Sequence, residues 1–212
     1  MACYNASKSA GQPLGLTTFI LGRSRQENEG AKALAKVFKL MGTLEEVVMP
    51  QNGIYHEGIE ALTDAFTSNP NLRILNMNDN TLTEKGAAHM AKALPKLQKL
   101  EVLNLGDTLL RTAGAQLITE ALSEGHVSLR DLAMDSNEIR RDGGVAVAKM
   151  VASKPNITSL ALDANQFGEA GCEEICKILE EAGKSKIMEP FEDDEEPDDE
   201  DDDEEEGVRN KQ

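Results

Sequence analysis

Six segments of this chain align with one another without an internal gap, beginning at Leu16, Leu44, Leu72, Leu100, Leu129 and Ile157. The spacings between those starts are 28, 28, 28, 29 and 28 residues. A period of that length means one supersecondary unit copied along the chain, each copy unable to bury its apolar face except against its neighbours. The units follow the pattern L-x-x-L-x-L-x-x-N-x-L, as in LRILNMNDNTL from Leu72 and ITSLALDANQF from Ile157. Position four is Phe19, Val47, Leu75, Leu103, Leu132 and Leu160, and position six is Leu21, Met49, Met77, Leu105, Met134 and Leu162. Two apolar residues separated by one other residue predict a short strand with one buried face.

The period then changes. Gly30, Gly58, Gly86, Gly114, Gly143 and Gly171 all occupy position fifteen, followed by apolar residues at helical spacing, as in Gly58, Leu62, Ala65, Phe66 or Gly171, Ile175, Ile178, Leu179. That spacing predicts an amphipathic helix. The glycine near its start is a packing requirement, because a side chain there would collide with the strand or the neighbouring unit. Strand, loop and helix repeated six times predict an α/β leucine-rich repeat solenoid, a horseshoe of the ribonuclease-inhibitor kind with parallel strands on the concave face and the wider helices on the convex face. The expected organisation is a remnant of a preceding unit over 1–15, six units over 16–186, and a disordered acidic tail over 187–212.

Charge supports that division. The chain has 38 acidic and 22 basic residues, a formal net charge of −16. Residues 189–206, EPFEDDEEPDDEDDDEEE, contain 15 of the acids and no base, so residues 1–188 carry 23 acids against 20 bases and are nearly balanced. Like charges repel and the run offers only Phe191 as apolar area, hence the expectation of disorder, with electrostatic steering of a basic partner or solubilisation as its use. Without Trp, and with only two Tyr and five Phe, the sequence argues against base-stacking platforms; its scattered cations argue against a phosphate-binding face. The apolar runs are far shorter than the roughly 18 residues a membrane span needs, and MACYNASKSAGQPLG lacks the apolar region of a signal peptide. Cys3, Cys172 and Cys176 are too few and too uneven for a disulfide framework.

Position nine is Asn52, Asn80, Asn137 and Asn165 in four units, with Ser24 and Thr108 in the other two. A buried asparagine there satisfies backbone groups where the chain leaves the strand. Function in a repeat protein is sought where a unit departs from its siblings. The first unit reads LTTFILGRSRQENEGAKAL, with Arg23 and Arg25 flanking Ser24 and the aliphatic residue of position eleven replaced by Gln26. The same loop ends in later units carry Gln51, Asn78, Asp79, Asp107, Asp135 and Asp163. A row of acceptors with two cations at one end suits a polar, wet protein interface better than a small-molecule pocket.

Enzyme signatures are missing from the sequence: there is no phosphate loop, no G-x-S-x-G and no H-E-x-x-H. His56, His89 and His126 fall at different positions of three units and do not converge on one metal or nucleophile. Cys172 and Cys176 are four apart on one helix with no His or further Cys nearby. No metal and no cofactor are expected.

The strings GRSRQENEGAKALAKVF, TLEEVVMPQNGI and NMNDNTLTEKGA, in order and at one-repeat spacing, followed by the acidic run, resemble the Ran GTPase-activating protein family over residues 10 to 206. The resemblance implies a regulator without an active site of its own, which binds Ran in its GTP-bound state and accelerates GTP hydrolysis in nucleocytoplasmic transport. GTP and magnesium belong to the partner. It further implies that Ran's own glutamine positions the attacking water, so that no arginine finger enters the phosphates. The family's essential arginine maps to Arg23 and its asparagine near the switch glutamine to Asn80, with Asp79 as the alternative register. Arg25, Asn28, Gln51, Asn52, Asn78, Asp79, Asp107 and Asp135 are then the partner-binding set. A monomer in the cytoplasm near the nucleus is expected, with neither nucleic acid nor membrane as partner. The sequence departs from the family in having only ASKSAGQPL before the G-R-x-R unit and no animal-type C-terminal domain. Two other readings stay open: a leucine-rich scaffold that binds proteins without activating them, and an acidic histone-chaperone-like protein.

Overall fold

The computed structural model describes residues 15–188 and 190–196; the expected remnant over residues 6–14 and the later part of the acidic tail lie outside the described residues. Six three-residue strands, β1 (Thr18–Ile20), β2 (Glu46–Val48), β3 (Ile74–Asn76), β4 (Val102–Asn104), β5 (Asp131–Ala133) and β6 (Ser159–Ala161), form one parallel sheet in chain order. Register follows the repeat: Phe19 pairs with Val47, Val47 with Leu75, Leu75 with Leu103, Leu103 with Leu132 and Leu132 with Leu160. Each strand is followed by a helix: α1 (Glu27–Met41), α2 (His56–Phe66), α3 (Thr83–Ala93), α4 (Arg111–Ser123), α5 (Arg141–Ser153) and α6 (Gly168–Glu181). Consecutive helices pack on one another and no sheet edge closes, which gives the open solenoid predicted from the period.

The core lies between the two layers. The leucines of position one are fully buried from Leu44 through Leu129, together with the apolar residues of positions four and six from Val47 through Met134. At about 1.5–3 kcal/mol for each such side chain, this shared stripe is the principal stabilising term. Its first-unit counterparts are more open: Leu16 is 42% exposed, and Phe19 and Leu21 are half-buried. Phe19, Phe38 and Phe66 continue the core there as an aromatic run, with ring centroids 4.9 and 6.4 Å apart.

The position-fifteen glycines are packing glycines that face the neighbouring unit as expected, with a side chain of their own unit in place of the strand. An added Cβ would stand 2.6 Å from Ile54 Cγ2 at Gly58, 2.6 Å from Ile139 Cγ2 at Gly143 and 3.0 Å from Phe167 Cβ at Gly171. The obstacle is the position-eleven side chain one turn earlier, backed by the preceding helix through Ala31 at Gly58 and Ala87 at Gly114. The strand plays no part in it.

Helix C-termini need donors for their orphan carbonyls. The next unit supplies several of them. Asn69 Nδ2 donates to Phe38 and Ala65 O, and Lys154 Nζ to Ser123 and Gly125 O at 3.0 and 2.9 Å. Lys184 Nζ donates to Val151, Ala152 and Lys154 O. His126, fully buried, holds its Nε2 at 2.9 Å from Leu94 O and its Nδ1 at 3.0 Å from Glu124 O. Burial lowers the pKa of both lysines; their charge also complements the negative end of the preceding helix.

The sequence boundary at 186 comes too early. Leu160 N donates to Ile187 O, Met188 bridges Leu160 in parallel register, and Phe191 packs edge-on against Phe167 at 5.5 Å. Asp194 Oδ2 accepts from Phe167 N and Gly168 N at 3.0 and 3.1 Å, and Glu196 Oε1 from Glu169 N. The start of the acidic segment is therefore a half-unit that covers the last repeat. Three apolar side chains suffice for that small end, and the carboxylates accept from amides at the start of α6. Burial pushes the Asp194 carboxyl above its ordinary range, against the amide and thiol donors that lower it.

Candidate partner-binding ridge

The turn after each strand places position eight at the rim of the sheet. Arg23, Gln51, Asp79, Asp107, Ser136 and Ala164 all adopt left-handed backbone there, with φ of 53, 54, 53, 50, 55 and 56°. Because every unit shares it, this conformation belongs to the turn and is no sign of function at Arg23. Its reason is a hydrogen-bond chain: the amides of Arg23, Gln51, Asp79, Asp107 and Ser136 donate to the carbonyls of Pro50, Asn78, Gly106, Asp135 and Asp163, each at 2.9–3.0 Å. The result is a ridge with a stiff backbone and outward side chains.

One residue further along, position nine turns inward. Asn80 is 4% exposed; its Oδ1 accepts from the amides of Asn52 and Ile54, and its Nδ2 donates to the carbonyls of Met49, Met77 and Asn78. Asn52, Asn137 and Asn165 repeat the arrangement, and Thr108 joins the row through Leu105 O and Asn137 Oδ1. The asparagines form a ladder in which one unit's side-chain amide satisfies the backbone of the unit before, interrupted at Thr108, whose hydroxyl bonds its own unit's Leu105 O and Asn137 Oδ1 of the next. Asn80 and Asn52, both taken from the sequence as site residues, are thus corrected to structural positions: buried and fully bonded, they present no polar atom to a partner. Asp79, the alternative register, lies on the ridge.

Arg23 and Arg25 are exposed, and among the described residues neither guanidinium has a hydrogen bond or ion pair. Their loop is fixed from beneath, since Ser24 N donates to Asn52 Oδ1 and Ser24 Oγ to Gly22 O. Gln26, read from the sequence as a lost core residue, points at Gly30 as its aliphatic counterparts point at theirs, while its Nε2 donates to Ser24 O at 3.1 Å. The exchange stabilises the loop, and the cations are what distinguish this unit on its surface.

Asn28 is a brace: its Oδ1 accepts from Tyr55 N and Gly58 N at the start of α2 and its Nδ2 donates to Glu57 at 2.9 Å. Gln51 and Asp107 are exposed, while Asn78, Asp79 and Asp135 are partly buried on the ridge. Asn78 Nδ2 donates to Gly106 O. Burial first, and then the neighbouring Asp107 and Asp163, raise the pKa of Asp135. Asp163 is no free acceptor, because its Oδ1 takes the amides of Glu192 and Asp193 at 3.1 Å. Tyr55 went unnoticed in the sequence: it is 52% exposed and, with Arg25, Glu27, Asn28, Glu29, Asn52 and Gly53, lines an open groove of about 450 Å³. An available signal was its position, where the other units carry Glu27, Thr83, Arg111, Arg140 and Gly168.

Cys172 is partly buried with its Sγ 3.4 Å from Asp194 Oδ2, and burial together with that carboxylate pushes the thiol up to about 12; Cys176 is exposed. No described helix is long and apolar enough to cross a membrane.

Repeated parallel strands, an asparagine ladder and a polar rim define a leucine-rich repeat protein. A leucine-rich repeat family profile matches residues 68–91. Among solved structures, actin-binding site 2 of leiomodin-1 superposes with a TM-score of 0.56 at 17% identity, over 72% of this chain and 87% of that one, a likeness of fold alone. In sequence the chain is 61% identical over 192 residues to Ran GTPase-activating protein 1 of Xenopus laevis, covering 91% of this chain and 33% of that protein. It is 48% identical over 188 residues to the Drosophila melanogaster Ran GTPase-activating protein, covering 89% and 31%. Over about nine tenths of its length the chain is similar to these Ran GTPase-activating proteins, and it spans about a third of theirs.

Proposed function

We propose that this chain meets the GTP-loaded form of Ran through the ridge of loop ends and accelerates its GTP hydrolysis. The single observation that carries this reading is the pair of unengaged arginines, Arg23 and Arg25, at one end of a stiff ridge whose other side chains are mainly acceptors. Related proteins named as Ran GTPase activators support the choice of partner. Arg23 acts by fixing the GTPase's own catalytic machinery without entering the phosphates, and Asp79 takes the place beside the switch glutamine, since Asn80 lies inside the fold. Gln51, Asn78, Asp107 and Asp135 extend the contact surface. GTP and magnesium come with the partner, and the chain acts as a cytoplasmic monomer.

Intrinsic hydrolysis in such GTPases is slow and activators raise it by up to about 10⁵-fold, roughly 7 kcal/mol of barrier. Phosphate release from GTP-loaded Ran, with and without micromolar protein, tests the reading. Acceleration that disappears in Arg23→Ala, with the melting transition unchanged, supports it. Binding without acceleration would instead assign the chain to the scaffold class.

A further inference from the structure

We infer that Tyr55 anchors the GTPase partner, so that the interface runs past Arg25 into the groove between Arg25 and Tyr55. This rests on the reading of the ridge as the Ran-binding surface and adds to it a residue that supplies affinity. An exposed tyrosine at the mouth of a groove has an apolar ring and a polar tip, and it loses little conformational freedom on binding; Tyr and Arg are the residue types that dominate interface hot spots. The ring is 52% exposed, and among the described residues its hydroxyl has no hydrogen-bond partner.

The backbone under the ring is held rigidly. Tyr55 N donates to Asn28 Oδ1, Tyr55 O accepts from Gly58 N and Ile59 N, and the residue bridges Thr81 of the next unit. Asn28, Asn52 and Gly53 are part of the groove lining, and the two asparagine side chains are engaged in the fold. A groove with a fixed lining admits a partner side chain without ordering itself first, which favours affinity. Arg25 lines the groove as well as following Ser24 on the rim, so the groove is continuous with the ridge and takes the same occupant. The lining also carries the Glu27 carboxylate and the Arg25 guanidinium, neither with a hydrogen-bond or ion-pair partner among the described residues. That pairing suits a charged side chain with an apolar stem that lies along the ring.

The observation is carried by contrast with Val127, which is equally open at 59% but lies at the end of the α4 to β5 connection, away from the rim. The test measures the affinity of Ran, loaded with a non-hydrolysable GTP analogue, for four proteins: unsubstituted, Tyr55→Ala, Tyr55→Phe and Val127→Ala. Phosphate release from GTP-loaded Ran is recorded alongside. Tyr55→Ala is expected to weaken binding about tenfold or more, as for an interface anchor, with an unchanged melting transition. Tyr55→Phe keeps most of the affinity and Val127→Ala all of it. In turnover, Tyr55→Ala raises KM and leaves kcat within about twofold, the signature of binding lost equally from ground and transition states. An affinity for Tyr55→Ala within twofold of the unsubstituted chain, or a lowered melting transition that accounts for the loss, overturns the inference while leaving the ridge reading intact. Binding without any acceleration defeats the activator reading alone, and the Tyr55 comparison still decides the anchor. Absence of binding by the unsubstituted chain defeats both.

Discussion

Positions eight and nine of the repeat are adjacent in sequence and recur at the same interval, yet they have opposite fates. Asp79 stands on the rim in left-handed backbone with its carboxylate outside; Asn80, next to it, is buried and makes five hydrogen bonds to the backbone. The left-handed turn at position eight throws one side chain out and the next one in. From the second unit on, each unit therefore displays one residue that is free to vary and hides one that the stack needs. Function and stability are separated by a single peptide, and a functional motif read across both positions will mix the two unless burial is considered.

The largest expected effect breaks the ladder. Asn80→Ala strands two buried amides and the carbonyls of Met49 and Met77, which should cost about 3 kcal/mol in urea unfolding, at the upper end for groups left unpaired. Asp79→Ala, one residue earlier, should change stability by no more than about 0.5 kcal/mol, as for surface substitutions away from a buried network. Similar losses at the two positions would remove the distinction.

A smaller effect is expected where the ladder ends. Asp194 takes the amides of Phe167 and Gly168, and Asp194→Ala should cost about 1 kcal/mol, the usual value of a lost cap. Amide exchange should quicken around Phe167 to Glu169 while β2 and β3 keep their protection. If exchange is unaltered at α6, the acidic half-unit is no cap.

The smallest concerns repulsion along the ridge. The Asp135 pKa is raised by burial and by Asp107 and Asp163, so its contribution to stability is present below the ordinary aspartate value near 4 and is lost as pH rises through the folded value. Its charge is accordingly a net cost at neutral pH. Asp135→Asn should stabilise the chain by a few tenths of a kcal/mol at pH 7, within the range of surface substitutions, and the gain should vanish near pH 3. A difference that stays constant with pH would show that the buried charge on Asp135 is not its source.

How much of this was legible follows from what repeats. The strand and helix layers, the glycine position and the inward asparagines recur at a fixed interval, and periodicity alone places them. The rim was legible as a row and position nine as a buried slot; Asn52 and Asn80 entered the site only through the family resemblance, whose register the spacing does not fix to one residue. The donors at the helix ends were hidden for another reason: Asn69, His126, Lys154 and Lys184 do one job with three residue types, and the extra residue of the fourth unit shifts their spacing. The half-unit after Ile187 was masked by charge, since Asp194 acts as a cap only because α6 leaves its first amides open at the end of the stack. Tyr55 gave a weak signal, one aromatic in a column of unlike residues, and only its exposure beside the groove gives it weight.

The most direct measurement of the central claim is single-turnover phosphate release from GTP-loaded Ran, alone, with this protein, and with its Arg23→Ala and Asp79→Ala variants, each variant matched to the unsubstituted chain in thermal melting. The account expects strong acceleration by the unsubstituted chain, loss of it in Arg23→Ala, and a substantial reduction in Asp79→Ala, all without a change in stability. Acceleration that survives in Arg23→Ala, or no acceleration by the unsubstituted chain, would contradict it.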